Sequence, residues 1–208
     1  MRILLIADSH GKKMSEKLAA LRDDVEVYPI VLPRRTIIVR GLYRDELQWI
    51  NEFDPEFVLS HMGHNDIVFH HEHNQHPLFI TAAFHLQLEM AQEVSVNFPG
   101  TQIVLSSMLP RVQGYDYTSE DAVRYNKIAR RFGQMLTKES YSGLEPHYVP
   151  TLNRPFWDTI TSAEGKQSYF NDGGLHLRHD GKLKLAREWM NVIESLLHHG
   201  ASADQVHA

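Results

Sequence analysis

The stretch RILLIADSHG, Arg2 to Gly11, sets five apolar residues, Ile3 to Ala7, directly before three polar ones, Asp8, Ser9 and His10. A short apolar run bounded in this way reads as a first strand. The polar triplet admits two chemistries. Either Ser9 is a nucleophile at a strand end, or Asp8 and His10 hold a metal.

Working outward, short β-branched runs alternate with longer stretches of helical period, the pattern of βαβ units on a parallel sheet. Strands are expected at Ile3 to Ala7, Val25 to Val31, Phe57 to His61, Gln102 to Ser106 and His147 to Val149. Helices are expected near Lys12 to Leu21, Arg44 to Phe53, Leu78 to Phe98, Glu120 to Leu136 and Lys182 to Leu197. In the last of these, Leu183, Ala186, Met190, Ile193 and Leu197 recur at spacings of three and four along one face. Thr118 and Asp121 fit a capping box before the fourth. Tyr141 to Gly174, rich in Gly, Pro, Ser and Asn, reads as one long irregular segment.

Composition narrows the function classes. The 208 residues carry 21 Lys and Arg against 26 Asp and Glu, a net charge of -5 without a basic stripe, which argues against nucleic-acid or anionic-membrane partners. There is no cysteine, so any metal would need His and carboxylate ligands. Nor is there a run of 18 apolar residues to span a membrane, and Ile3 to Ala7 is too short for a secretory leader, so a cytoplasmic location is expected. Residues 1–200 read as one domain and 201–208 as a disordered tail. The oligomeric state is not written in the sequence.

In an open α/β sheet, ligands bind at the carboxyl ends of the strands. That rule selects Asp8-Ser9-His10 after the first strand, Gly63-His64-Asn65-Asp66 after the third and Met108 to Arg111 after the fourth. A serine mechanism needs a base, an orienting carboxylate and oxyanion donors. His176 in the loop before the last helix supplies the base, and Asp172 the carboxylate. Asn65 adds a side-chain amide for the oxyanion, beside the N–H of Ser9 itself.

These blocks resemble those of the SGNH hydrolases, the GDSL-type esterases and lipases. ADSH at 7–10 is similar to the family's Gly-Asp-Ser block, GHND at 63–66 to its Gly-x-Asn-Asp, and DGGLHLRHDG at 172–181 to its Asp-Gly-x-His-Leu. SSMLPR at 106–111 followed by YNKIARRF at 125–132 looks like the Pro-Arg strand end and Asn-bearing helix of some members. The resemblance runs from residue 2 to about 190. It implies a three-layer α/β/α sandwich with a mostly parallel five-stranded, flavodoxin-like sheet. It also implies Ser9 as nucleophile, His176 as base, Asp172 as its partner and Asn65 as oxyanion donor. The reaction implied is hydrolysis of a small-molecule carboxylic ester, of small or medium acyl groups, without metal or organic cofactor.

Two positions depart from the family pattern. Asp172 precedes His176 by four residues where the family has three, with Gly173 and Gly174 between. If the extra glycine loops out, the triad is complete; otherwise Ser9 and His176 form a dyad oriented by a carbonyl or another carboxylate. The glycine of the second oxyanion block is also missing. Arg34 lies nearest its position, with Gly41 the alternative, and any non-proline residue can donate its N–H there.

Two rival classes share some of these features. LLIADSHG also looks like the Asp-x-His-Gly opening of calcineurin-like metallophosphoesterases, but Gly-His-Asn-Asp reverses their Gly-Asn-His-Asp, and their Gly-Asp and closing Gly-His-x-His blocks are absent. An SGNH-like fold acting only as a binding module is the second. His61, His64, His70, His71, His73 and His76 crowd 16 positions; their spacing misses the helical zinc pair, so the run reads as a solvated loop. Tyr148, Phe156, Trp157, Tyr169 and Phe170 are candidates for the wall of an acyl pocket. There is no Gly-x-Ser-x-Gly elbow, P-loop or dinucleotide fingerprint.

Overall fold

Ile3, Leu4, Leu5, Ile6 and Ala7 are all fully buried, and successive residues enter opposite cores. Leu4 and Ile6 pack on one face, Ile3, Leu5 and Ala7 on the other, as the two-residue period of a strand dictates. The computed structural model describes residues 1–38, 43–72, 78–106, 108–115, 118–138, 147–149 and 154–203.

Five parallel strands form one sheet: β1 (Arg2–Ala7), β2 (Glu26–Val31), β3 (Phe57–His61), β4 (Gln102–Ser106) and β5 (His147–Val149), in the order β2-β1-β3-β4-β5. Pro29 has no N–H to give a ladder, and it sits in β2, an edge strand. The helices are α1 (Met14–Ala19), α2 (Tyr43–Phe53), α3 (His64–Glu72), α4 (Leu78–Asn97), α5 (Ser119–Lys138), α6 (Arg154–Thr161), α7 (Ala163–Tyr169) and α8 (His179–Ala203). Residues of α2, α4 and α5 fill the core on the Leu4 face, and α1 and α8 fill the core on the Ile3 face. The result is the expected α/β/α sandwich with a flavodoxin-like strand order.

The structure corrects the sequence reading in three places. The segment from Tyr141 to Gly174 is not uniformly irregular, since α6 and α7 occupy much of its second half. Ser162 starts α7 by accepting the N–H of Gly165 at 3.0 Å. Part of the histidine run forms α3, with His61 and His64 fully buried and no part of a solvated loop. The buried stripe of α8 is Leu185, Ala186, Trp189, Met190 and Ile193; Leu183 and Leu197 lie at its margins. The capping box before α5 forms, with Asp121 N–H on Thr118 Oγ1 at 3.1 Å and the Thr118 hydroxyl on Asp121 Oδ2 at 2.6 Å. Positions 204–208 of the expected tail lie outside the described residues.

Candidate active site

The strand order reverses direction between β1 and β3, and at such a switch point the loops leaving the two strands part to opposite sides and open a crevice. Asp8-Ser9-His10 leave β1 there, and Gly63-His64-Asn65 leave β3 beside them. Ser9 opens a single 3-10 turn, Ser9–Gly11, half-buried at its first position. Asp8 caps that turn, its Oδ1 accepting the His10 N–H at 3.0 Å. Gly11 closes it against the sheet, where a Cβ would fall 2.3 Å from the Cβ of Ala7.

Beneath the turn lies a cluster no single motif describes. Asp8 Oδ1 faces His10 Nδ1 at 2.8 Å, and Asp8 Oδ2 faces His64 Nδ1 at 2.8 Å. The rings of His10 and His64 stack at 4.1 Å, and His61 meets them edge-on at 6.3 and 4.7 Å. His64 Nε2 accepts the Leu109 N–H at 2.8 Å, so Nε2 holds a lone pair and the proton of this neutral ring sits on Nδ1, aimed at Asp8. Burial pushes the Asp8 carboxyl up, but the His64 and His10 rings bonded to it outweigh that and hold it well below the usual carboxylate range. Burial lowers His64 to about 4, and burial with the neighbouring His64 depresses His61 strongly.

Ligand-type atoms of Asp8, His10 and His64 lie within 4.8 Å of one another. Their hydrogen bonds speak against metal ligation. A cation on His64 Nδ1 would drive the proton to Nε2, against the N–H of Leu109, and it would take both Asp8 oxygens from their present donors.

The last block folds onto the first. Residues 170–177 form a tight loop closed by an antiparallel Phe170–Leu177 bridge. Within it the Asn171 N–H donates to His176 O at 2.9 Å, and the His176 N–H to Asn171 Oδ1 at 3.3 Å. Leu175 O lies 3.3 Å from His10 Nε2, and the His176 ring is tilted against that of His10 at 4.9 Å. Burial, then the charge of His10, lowers His176 to about 4. Gly174 adopts φ +72° with its carbonyl on the Val112 N–H at 3.1 Å; a Cβ there would lie 2.2 Å from Val112 O. That left-handed residue absorbs the extra position between Asp172 and His176.

It does so with the Asp172 carboxylate turned outward. Asp172 Oδ1 bonds Arg178 and the side chain is 70% exposed, whereas the expected triad needs it on the His176 ring. Among the described residues no hydrogen bond joins the two side chains. Asn171, which sequence reading passed over, is the residue that grips His176.

Asn65 is bonded to the segment that holds Arg34, at the residue after it. Asn65 Nδ2 donates to Arg35 O at 2.9 Å, leaving its second N–H free of that bond. Arg34, next to it, has φ 61° in an exposed turn. Asp66 fixes the following residues, accepting the Ile37 N–H at 2.9 Å and the Ile38 N–H at 3.2 Å; burial raises its carboxyl to about 6. Gly41 lies outside the described residues. In the Pro-Arg block, Asn126 of α5 brackets the Arg111 peptide, with both bonds at 2.8 Å.

The aromatics expected at an acyl wall divide between the two cores where they are described. Phe156 and Phe170 belong to the α8-side core and Trp157 to the opposite one. Tyr169 packs half-buried against the first core, and the Tyr148, His70, His71, His73 and His76 side chains lie outside what is described. No helix among the described residues is long and apolar enough to cross a membrane.

No protein-family model matches the chain, and no curated protein matches it in sequence. Solved structures do match. A GDSL-like lipase from Bacteroides thetaiotaomicron VPI-5482 superposes with a TM-score of 0.62 at 13% identity over 94% of this chain and 88% of that one. A catalytic mutant of an acetylxylan esterase from Geobacillus stearothermophilus gives 0.61 at 14% identity over 92% and 93%. The psychrotrophic esterase EstA from Pseudoalteromonas sp., inhibited by monoethylphosphonate, gives 0.57 at 14% over 95% and 98%. The chain therefore shares the fold of GDSL-type lipases and esterases along nearly its whole length.

Proposed function

We propose that this chain is a serine hydrolase that cleaves carboxylic esters of small or medium acyl groups through an acyl-enzyme on Ser9. In this reading the Ser9 hydroxyl attacks the ester carbonyl while His176 takes its proton. The oxyanion gathers N–H donors from Ser9, the free amide proton of Asn65 and the backbone near Arg34, worth roughly 10²- to 10³-fold per donor. His176 returns the proton to the departing alkoxide, and the reverse sequence with water frees the acid and the serine. Asp172, expected to orient His176, is given a minor part, because its carboxylate is exposed and bonded to Arg178.

The observation that carries this reading is the approach of the first and last blocks. The neighbour of Ser9 touches both the neighbour of His176 and His176 itself, with Asn65 following directly on the His64 that anchors the same cluster.

The test is turnover of p-nitrophenyl acetate and longer acyl esters, with bis-p-nitrophenyl phosphate alongside, each with and without EDTA, for the wild type and Ser9→Ala. Ester cleavage that ignores EDTA and disappears in the variant is expected. Chelator-sensitive phosphodiester cleavage would mean a metallophosphoesterase, and silence with every substrate a binding module.

A further inference from the structure

The His10 ring stands between two oxygen acceptors, the Asp8 carboxylate at Nδ1 and the Leu175 carbonyl at Nε2. A carbonyl oxygen only accepts, and so does an ionised carboxylate, so both contacts are hydrogen bonds only when both ring nitrogens carry protons. Charge balance agrees. Of the two rings bonded to Asp8, His64 is held neutral by the Leu109 N–H, which leaves His10 as the bonded partner able to carry a balancing charge, beside the buried Arg111 that acts on the same cluster from farther away.

The two contacts join distant parts of the chain at one place. Asp8 and His10 flank Ser9, and Leu175 supplies the carbonyl of the peptide that leads into His176. The His10 ring also packs on the His176 ring at 4.9 Å and is backed by His64 at 4.1 Å. With the Asp172 carboxylate on Arg178, this is the described contact that ties the base-bearing loop to the nucleophile turn through side chains.

We propose that His10, protonated on both nitrogens and anchored by Asp8, is a positioning residue that clamps the Leu175–His176 peptide and so sets the base against Ser9. This rests on the Ser9–His176 reading above. His10 takes no proton from substrate; it holds the loop whose His176 does. In effect the orienting carboxylate of a triad is replaced by Asp8 acting through His10 on the main chain.

Two variants divide the ring's contacts. His10→Asn places an amide where Nδ1 was and keeps a donor for Asp8, while His10→Gln places one where Nε2 was and keeps the donor for Leu175 O. Misplacement of a reacting group by an ångström costs on the order of 100-fold, so His10→Asn is expected to lower kcat for p-nitrophenyl acetate about tenfold or more with KM unchanged. His10→Gln is expected to recover most of that loss. Equal losses in the two variants, or a loss confined to KM, would overturn the clamp. A second readout needs no turnover. In a long-range 1H–15N spectrum of the wild type at pH 7, assigned by difference from His10→Gln, His10 is expected to show two protonated ring nitrogens. One unprotonated nitrogen would overturn the proposal whatever the kinetics. A wild type that cleaves no ester but shows both protons would defeat the hydrolase reading while leaving the clamp standing as a structural link.

Discussion

Leu175 O lies 3.3 Å from His10 Nε2, across 165 residues of chain. Because Leu175 precedes His176 and His10 follows Ser9, the contact fixes the two ends of the proposed proton path against each other. Its strength is local geometry in a site from which water is largely excluded, since His10 and Asp8 are buried.

Asp172→Asn tests how much of a triad exists. Loss of the orienting carboxylate in a complete triad lowers kcat about 10⁴-fold. Here the carboxylate is 70% exposed and held by Arg178, so the variant is expected to lose less than about tenfold in kcat, within the range of a weakened exposed ion pair. A loss of a thousandfold would show that Asp172 reaches His176 during turnover.

The pH profile should lack the titration that a histidine base usually gives. Burial and the charge of His10 lower His176 to about 4 from the usual 6.5. A base with a lowered folded value stays unprotonated to lower pH, so its acid limb moves down with it. The expected kcat/KM for p-nitrophenyl acetate is flat from pH 6 to 8. A half-maximum near 6.5 would contradict the buried, His10-facing environment of the ring.

Stability should fall on mild acidification. His61 and His64 are lowered in the folded state, so the unfolded chain binds their protons first; the stability they give is complete above 6.5 and is lost as pH drops toward 4. Asp66 works the other way, for its value is raised to about 6 and folding favours its protonated form as pH falls. His176, half-buried and also lowered, adds to the imidazole side, so three imidazoles stand against one carboxyl and unfolding takes up more than one proton, a slope above about 1.4 kcal/mol per pH unit. Urea unfolding at pH 6.5 and 5 should therefore differ by at least about 2 kcal/mol, with Asp66→Asn steepening the slope. Constant or rising stability over that interval would refute it.

Gly11 should not tolerate a side chain. A Cβ there meets the Ala7 Cβ at 2.3 Å and Val31 Cγ2 at 3.6 Å. Both ends of that contact belong to the strand and turn that carry Ser9, so Gly11→Ala is expected to cost about 1–3 kcal/mol in urea unfolding, as overpacking does. Adding Ala7→Gly should restore part of it. An unchanged midpoint in Gly11→Ala would mean the turn is looser than the contact implies.

The sheet was legible because its signals are local. Phe57–His61 and Gln102–Ser106 are the predicted spans to the residue, each a short apolar run following polar or Gly/Pro punctuation. The α3 helix was not, because only two residues separate His64–Glu72 from β3 and its polar, histidine-rich letters resemble a loop. Nor were α6 and α7, short helices in a segment whose Gly, Pro and Ser content suggests irregular chain. In the site, Ser9, Asn65 and His176 stood out through motif spacing. The Asp8–His64 and His10–Leu175 contacts span 56 and 165 residues and follow from the β1/β3 switch, which spacing alone does not encode. Asp8 and His10 did stand out as possible metal ligands; the tautomers of the cluster they form with His64, visible only with the Leu109 N–H in place, assign the three to one another.

Covalent capture at Ser9 is the most direct measurement. Wild-type protein treated with diethyl p-nitrophenyl phosphate should release one equivalent of p-nitrophenolate and gain one diethylphosphoryl group, mapped by peptide mass spectrometry to Ser9, with none in Ser9→Ala. No adduct, or an adduct on another residue that persists in Ser9→Ala, would contradict a nucleophile at the end of β1.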